Sequence, residues 1–184
     1  MNQSLQITDG TINLRLPKTE DISSIYQAVR ESLNELKPWM DWATDTFDEG
    51  SALRWVEHAS LAWEHARAFY FVIIDSKSGV YLGNCSLDNL DENQKTCNLG
   101  YWVRTSATRK GVASRAIRLA AKYAFLTAGL LRLDIVIATE NKASQRAALK
   151  AGAHFVCERK NGIVVKNKVY DAVIYSIDRE DVEA

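Results

Sequence analysis

The sequence predicts a mixed α/β fold, in which a central, mostly antiparallel sheet of seven strands is flanked by about four helices. Segments with strand-like and helix-like patterns follow one another in the order β-α-α-β-β-β-α-β-α-β-β. The strand, helix and strand within residues 96–138 form a crossover unit, so these two strands should run parallel. The 184 residues, 47% of them apolar, suit one domain over residues 1–184.

The first third of the chain predicts one strand and two helices. Apolar residues alternate with polar ones over residues 11–16, and Pro17 ends this strand. Apolar residues then recur at helical spacing over residues 22–33 and again over residues 52–66. Between the two helices, the segment "LNELKPWMDWATDTF" has no clear period and predicts an ordered loop.

The rest of the chain predicts six strands and two helices. The β-prone run "AFYFVIID" begins an antiparallel meander that continues through "VYLGNCSLDNL" and "TCNLGYWV". A helix from about Val112 to about Leu126 leads to the strand "LLRLDIVIA", and Gly152 ends a second, short helix. The last two strands, "AHFVCER" and "KVYDAVIYSI", are separated by a turn that contains Asn161-Gly162.

Composition and charge argue against several functional classes. Lys and Arg total 23, as do Asp and Glu, so the chain has no general attraction to nucleic acid or to an anionic membrane. The 3 cysteines are too few and too far apart for a disulfide framework, which favours a reducing compartment. The N-terminus "MNQSLQITDG" has no signal-peptide pattern, and no apolar run approaches the ~18 residues of a membrane span. We therefore expect a cytoplasmic protein.

The stretch "RTSATRKGVASRA" places two cations and a glycine between a strand and a helix. Gly111 can adopt backbone angles that other residues avoid. The N–H groups that follow lack intrahelical partners and lie at the positive end of the helix dipole. Small residues at Gly111, Ala113 and Ser114 leave room for a bulky anion, and Arg109 and Lys110 add positive charge. The stretch is suited to bind a pyrophosphate, although a plain helix start with solvated cations would show the same pattern.

A second group of residues follows about one strand later. The strand "LDIVIATEN" leads into Asn141-Lys142-Ala143-Ser144 and a short helix that ends "LKAGA". Together with the preceding stretch, this arrangement resembles the GNAT superfamily of acetyl-CoA-dependent N-acetyltransferases. The matching segments are Gly100-Tyr101-Trp102-Val103, Arg109-Lys110-Gly111-Val112-Ala113-Ser114, Asn141-x-x-Ser144 and Lys150-x-Gly152. The segment "LKPWMDW", Ser144 and the ending "KVYDAVIYSI" resemble the branch of the Rim-type ribosomal-protein N-terminal acetyltransferases.

The resemblance implies that acetyl-CoA is the co-substrate and that residues 109–114 hold its pyrophosphate. An amine would attack the thioester directly while both substrates are bound. The strand edge at Tyr101, Trp102 and Val103 would pair with the pantetheine arm, and a backbone N–H there would stabilise the carbonyl oxygen. Asn141 would contact coenzyme A, or would only cap its helix.

Ser144 is the residue that the resemblance offers as proton donor to the departing thiolate. Serine is also common in the first turn of a helix, and that role alone would explain it. Three positions depart from the family pattern. Thr108 stands where Gln or Arg is usual, Asn98 where relatives often carry Glu, and Ala148 where many members have a tyrosine acid. A carboxylate base therefore cannot sit at residue 98.

The sequence offers Asp88 as the general base, because it follows a strand that borders the acceptor cleft by topology. A plain turn carboxylate is the alternative, and a water chain can replace a base. Trp39 and Trp42 lie in the aperiodic segment, where they either wall the acceptor site or form a hydrophobic staple. His58 and His65 share one helix face without a third ligand, so we expect no metal site.

The resemblance implies an acetyltransferase that acts on a primary amine, and we expect the α-amine of a protein N-terminus, such as that of a ribosomal protein. Two alternatives stay open. One is a small amine acceptor, such as a polyamine or an amino sugar. The other is a non-catalytic coenzyme A sensor, which the missing carboxylate at Asn98 would favour. We expect a monomer or a homodimer that binds neither nucleic acid nor membrane directly.

Overall fold

One sheet of eight strands forms the centre of the computed structural model, which describes residues 6–183. The strands are β1 (Gln6–Thr8), β2 (Ile12–Arg15), β3 (Phe69–Asp75), β4 (Tyr81–Asp91), β5 (Thr96–Val103), β6 (Arg132–Ala138), β7 (His154–Val165) and β8 (Lys168–Asp178). Their order is β1-β2-β3-β4-β5-β6-β8-β7, and only β5 and β6 pair in parallel. Residues 1–5 and residue 184 lie outside the described part. The expectation of no signal peptide rests partly on residues 1–5, and both ends of the predicted domain also lie outside the described part.

Helices cover both faces of the sheet. They are α1 (Ile22–Leu36), α2 (Glu49–Glu64), α3 (Val112–Leu126), α4 (Lys142–Ala151) and the single turn α5 (Glu180–Glu183). The predicted mixed α/β class and its four main helices are confirmed, and α3 has the predicted bounds. Among the described residues, no helix is both long and apolar enough to cross a membrane.

The sheet separates two apolar cores. On one face, α3 covers Leu99 of β5 and Leu133 of β6, which are at most 1% exposed. On the other face, α1 and α2 cover a core that includes Val29, Val56 and Trp102. Because successive strand residues point to opposite faces, β5 contributes Leu99 to the first core and Trp102 to the second.

Two details of the strand prediction were wrong. The sheet has eight strands because the short β1 pairs with β2, with Gln6 opposite Arg15. The last hairpin turns at Lys166-Asn167, both with positive φ, whereas Asn161 and Gly162 lie inside β7. An irregular stretch of β7 includes them, and a Cβ on Gly162 would stand only 2.6 Å from the Cβ of Ala172. Glycine is therefore needed at residue 162 for close packing against β8, and not for a turn.

The parallel pair β5 and β6 is short. Its register joins Thr96 to Arg132 and ends at Asn98 and Asp134. Beyond this point β5 continues its pairing with β4 as far as Val103, and β6 continues with β8 as far as Ala138. The two strands thus diverge, and each leaves one backbone edge without a strand partner.

Hydrogen bonds tie α1 to the segment that follows β5. Glu31 forms an ion pair with Arg104 and accepts a hydrogen bond from the backbone N–H of Ser106 (2.7 Å). The Arg104 hydrogen bond is the main reason why the pKa of Glu31 falls to about 2. Ser32 Oγ accepts from the Thr105 N–H (2.9 Å). These contacts fix the start of the segment that carries the predicted pyrophosphate loop.

The three cysteines are all free. Burial raises the pKa of the Cys85 thiol above its usual range and that of Cys97 to about 12. Both thiols are therefore kept in their unreactive, protonated form at neutral pH. Cys157 is half-buried on β7.

Gly83 provides a test of the β4–β5 pairing. Its φ is +147°, and an added Cβ would stand 2.2 Å from the carbonyl oxygen of Trp102. We expect Gly83→Ala to lower the free energy of unfolding by about 1–3 kcal/mol, because the backbone must shift. Gly50→Ala, in α2 with no Cβ contact under 3.4 Å, should raise it by about 0.4–1 kcal/mol. Urea denaturation measures both, and equal effects would contradict the close approach.

Candidate active site

The segment before α3 has the geometry of an anion site. Gly111 has φ +78° and is followed by Val112, the first residue of α3. Arg109 also has a positive φ, +61°. The first intrahelical bond runs from the Arg115 N–H to the Gly111 carbonyl (3.1 Å). Within the described part of the chain, the N–H groups of residues 110–114 find no acceptor, so they are available to an anion.

Three cations surround these N–H groups. Arg109 and Lys110 have exposed side chains that make no ion pair with any described residue. Lys150, at the end of α4, extends toward the same place, since its Nζ lies 3.9 Å from the position of a Cβ on Gly111. Ser114 is buried, and its Oγ donates to the Gly111 carbonyl (3.0 Å). The loop therefore combines free donors with positive charge.

A small cavity of about 100 Å³ lies where β5 and β6 diverge. Gly100 and Tyr101 line it from β5, residues 135–138 line it from β6, and Asn141 and Ser144 line it from the start of α4. Trp39, which packs against Tyr170 with ring centroids 5.9 Å apart, closes another side. The free edge of β5 therefore faces a cavity that the start of α4 also reaches.

Tyr101 and Ser144 meet in this cavity. The Tyr101 hydroxyl donates to the Ser144 carbonyl oxygen (2.9 Å) and lies 2.9 Å from Ser144 Oγ. Burial raises the pKa of Tyr101 to about 12, and the hydrogen bond from Ser144 opposes part of this rise. Asn141 Oδ1 accepts from the Ser144 N–H (3.1 Å), which is a helix cap. The two hydroxyls are thus held as a neutral pair.

A larger cleft of about 530 Å³ lies on the opposite side of β5, between the sheet and the helices α1 and α2. Its lining is mainly apolar and includes Ile25, Val29, Met40, Trp42, Phe47, Trp55, Tyr70 and Trp102. Three residues line both the cleft and the small cavity, namely Met40, Gly100 and Tyr101. Because Gly100 has no side chain, the two spaces approach each other across the β5 backbone at this residue.

Asp88 supplies the acidic group of the cleft. Its carboxylate accepts hydrogen bonds from Ser86 Oγ (2.9 Å) and from Asn98 Nδ2 (3.0 Å). Asp88 and Asn98 are direct partners across β4 and β5, as are Ser86 and Gly100. The carboxylate therefore lies beside Gly100, with Asp88 Oδ2 4.0 Å from the position of a Cβ on that residue.

The Acetyltransferase (GNAT) domain family matches residues 11–154. The chain belongs to this family. A Bacillus subtilis (strain 168) relative, which carries the provisional name ribosomal N-acetyltransferase YdaF, is 26% identical over 94% of this chain and 93% of its own. A Vibrio cholerae structure, named provisionally as a ribosomal-protein-serine acetyltransferase, is 25% identical, covers 97% of this chain and 99% of its own, and has a TM-score of 0.85.

The structure of the Microcin C7 self immunity acetyltransferase MccE, in complex with acetyl-CoA and AMP, has the same fold with a TM-score of 0.85. It is 21% identical, and the match covers 93% of each chain. The predicted resemblance to GNAT acetyltransferases is thus confirmed, and the similar proteins include ribosomal-protein acetyltransferases of the Rim type.

The two tryptophans of the aperiodic segment occupy different spaces in this acetyltransferase. Trp42 lines the large cleft, is 41% exposed and packs against Phe47 and Trp102, with centroids 5.8 Å apart in both cases. Trp39 lines the small cavity instead. The structure therefore brings Asp88 and Trp42 together and puts Trp39 beside Ser144.

Several groups at the site had no predicted role. They are Ser86 and Asn98, which hold Asp88, Lys150 near Gly111, and Met40 and Tyr70 in the cleft. Side chains alternate between the two faces of a strand, and this alternation along β4 and β5 could have indicated that Asp88 and Asn98 are neighbours on one face of the sheet. The reach of Lys150 depends on how α4 packs beside α3, and no pattern in the sequence shows it.

The histidines of this acetyltransferase lie in separate places. His58 lines the cleft, with its ring centroid 5.5 Å from that of Tyr70, while His65 Nδ1 lies 2.8 Å from the Leu61 carbonyl. His154, on β7, has Nε2 3.5 Å from Asp178 and Nδ1 3.7 Å from Asp181. Each ring nitrogen of His154 therefore faces a different carboxylate.

Proposed function

We propose that this acetyltransferase moves the acetyl group of acetyl-CoA to the α-amine of a protein N-terminus. The observation that carries the proposal is that two spaces approach each other at Gly100, one lined by the Asp88 carboxylate and the other by the Tyr101 and Ser144 hydroxyls. The relatives named as ribosomal acetyltransferases support a protein acceptor. The MccE structure, solved with acetyl-CoA, supports the co-substrate.

In this proposal, acetyl-CoA binds through two backbone surfaces of the chain. The free N–H groups of residues 110–114 take the pyrophosphate, and the side chains of Arg109, Lys110 and Lys150 add positive charge beside it. The edge of β5 from Leu99 to Val103, which lacks a β6 partner, pairs with the amides of the pantetheine arm. Asn141 borders the same cavity while it caps α4.

The proposed reaction is a direct transfer. The neutral amine attacks the thioester carbonyl, an N–C bond forms, and the carbonyl electron pair moves to oxygen. A backbone N–H near Trp102 or Val103 stabilises this negative charge. When the carbonyl re-forms, the C–S bond breaks and sulfur leaves as a thiolate. The amine loses one proton, and the thiolate gains one.

Asp88 is the proposed proton acceptor, directly or through one water. Its two oxygens each accept one hydrogen bond, from Ser86 and from Asn98, and these bonds hold the carboxylate in one orientation. Under this proposal, the presence of Asn98 does not leave the site without a base. Asn98 occupies the position where relatives often carry Glu, and its amide donates to a carboxylate on the adjacent strand.

Ser144 is the proposed proton donor to the thiolate, and Tyr101 is a residue that positions it. Tyr101 donates its hydrogen to the Ser144 carbonyl, so its ring is fixed beside Ser144 Oγ. Ser144 is then able to rotate its own hydrogen into the cavity. The cap of α4 does not need the Ser144 hydroxyl, because Asn141 Oδ1 binds the Ser144 N–H.

The charges of the cleft favour an α-amine over a polyamine. A polycation would require several carboxylates, and Asp88 is the single Asp or Glu among the described residues that line the cleft. The acidic residues of the preceding loop and helix start, Asp41, Asp45, Asp48 and Glu49, do not line it. An α-amine also has a pKa near 8, against roughly 10.4 for lysine, so about a quarter of it is neutral at pH 7.5.

Gly111→Asp tests the pyrophosphate assignment. The carboxylate would repel a phosphate at the N–H groups of α3, so acetyl-CoA affinity should fall at least tenfold, or about 1.4 kcal/mol, by calorimetry. Gly79→Asp is the matched control, because Gly79 also has a positive φ (+71°) but lies in a β3–β4 turn with nothing within 4 Å of an added Cβ. Equal affinity in the two folded variants would remove the assignment.

Ser144→Ala and Tyr101→Phe together identify the proton donor. General acids contribute roughly a hundredfold or more, so Ser144→Ala should lower kcat about that much with little change in the KM for acetyl-CoA. Tyr101→Phe keeps the Ser144 hydroxyl and should lower kcat less. A larger loss in Tyr101→Phe would assign the donor to Tyr101. A change under about threefold in both would mean that no protein donor is needed.

The acceptor class is tested by product analysis. Short peptides with free and with blocked N-termini, spermidine and an amino sugar are each incubated with acetyl-CoA, and mass spectrometry locates the acetyl group. We expect acetylation at free α-amines only, with one thiol released per product. Acetylation of spermidine, of an amino sugar or of lysine in blocked peptides, with none at free α-amines, would overturn the proposed acceptor and leave the family assignment intact.

A further inference from the structure

We infer that the residue that carries the accepted α-amine has a large apolar side chain, such as that of Phe, Leu or Met. This inference rests on the proposed function and concerns the shape and chemistry of the same cleft. The cleft is about 530 Å³, within the range of roughly 300–1,000 Å³ that is typical of ligand sites. A serine or alanine side chain would leave most of that space to water, so the inference sets this chain apart from the similar structure whose name specifies serine.

The position of the aromatic rings sets the direction in which such a side chain would extend. Tyr70 on β3 pairs with Ser86 on β4, and Ser86 pairs with Gly100 on β5, so these three residues form one row across the sheet. Two strand spacings, roughly 10 Å, separate Tyr70 from Gly100. An amine beside Asp88 and Gly100 therefore lies at one end of the row, and the ring of Tyr70 lies at the other.

Aromatic and apolar groups surround the far end of this row. Trp55 of α2 packs edge-on against Tyr70, with centroids 6.2 Å apart, and both rings are only half-buried. Trp42 contributes a ring that is 41% exposed in the same cleft. Partly exposed apolar surface that is gathered in one cleft often marks a binding site. A methyl or hydroxymethyl group at Gly100 would not reach them, whereas a phenyl or isobutyl group extends toward them.

The charges of the cleft agree with an apolar side chain. Asp88 lies at the amine end and would repel an acidic first residue. The side chains of Arg54 and His58, which also line the cleft, are exposed, and Arg54 Nη2 already donates to Ser51 Oγ (2.9 Å). Among the described lining residues Asp88 is the single carboxylate, so a basic side chain would have to share it with the α-amine.

Pentapeptide amides that differ only at the first residue test the inference. The series X-Gly-Ser-Gly-Ser, with X as Phe, Leu, Ala, Ser or Asp, is compared by kcat/KM from thiol release. A single methylene in a hydrophobic pocket is worth roughly 10–200-fold. We therefore expect the Phe and Leu peptides to exceed the Ala and Ser peptides by at least tenfold, and the Asp peptide to be the poorest.

Variants then locate the preference. Trp55→Ala and Trp42→Ala should each lower the kcat/KM of the Phe peptide relative to that of the Ser peptide. Because both values come from the same enzyme sample, their ratio does not depend on the fraction of the enzyme that is folded. Phe155→Ala is the matched control, since Phe155 is an aromatic residue that is 56% exposed on β7 outside the cleft. It should leave the ratio unchanged.

The outcomes separate this inference from the proposed function. If Ser and Ala peptides react as well as Phe and Leu peptides, or the Asp peptide is preferred, the apolar first residue is wrong and the α-amine acceptor stands. If the preference exists but neither tryptophan variant reduces it, the cleft is not its source and the inference is also overturned. If no free α-amine reacts while spermidine or an amino sugar does, the proposed function and the inference fail together.

Discussion

The divergence of β5 from β6 after Asn98 and Asp134 is the constraint on which the rest of the structure depends. Each strand keeps its other neighbour, so the opening removes hydrogen bonds from only one edge of each. Unpaired backbone groups are costly when they are buried without a partner. The predicted pyrophosphate loop follows the open end of β5, and the start of α4 follows the open end of β6. Under the proposed function, the amides of the pantetheine arm of acetyl-CoA form hydrogen bonds with these open edges. The two ends of the arm then lie near the loop that precedes α3 and near the start of α4.

The pairing of β4 with β5 also explains how a carboxylate can lie at the site although Asn98 stands where relatives often carry Glu. Asp88 and Asn98 face each other across β4 and β5, so their side chains lie on one face of the sheet. Asp88 lines the cleft, and Asn98 contacts its carboxylate from the adjacent strand. The amide of Asn98 cannot accept a proton from an amine, but it orients the carboxylate that can. In the proposed mechanism, the base therefore lies on β4 and the group that orients it lies on β5, whereas relatives often carry the acid at the β5 position.

Local patterns predicted most of the fold, and contacts distant in sequence determined the rest. The bounds of α3 follow from its apolar period and from Gly111, both of which are local. The pair Asn161-Gly162 is a strong local turn signal, but the closeness of the Ala172 Cβ requires a glycine at residue 162 inside β7. Trp39 and Trp42 lie in a segment without a period, so only packing against Tyr170 and Trp102 could assign them to different spaces.

The two roles considered for Ser144 turn out to use different atoms. The helix start requires an acceptor for the backbone N–H of Ser144, and Asn141 Oδ1 provides it. Proton donation requires a hydroxyl hydrogen, and Ser144 Oγ lies in the cavity beside the Tyr101 hydroxyl. Sequence spacing makes the roles look like alternatives, because both place a polar residue in the first turn of α4. In the structure they are compatible, and the cap supports the proposed chemistry by fixing the backbone that carries the Ser144 hydroxyl.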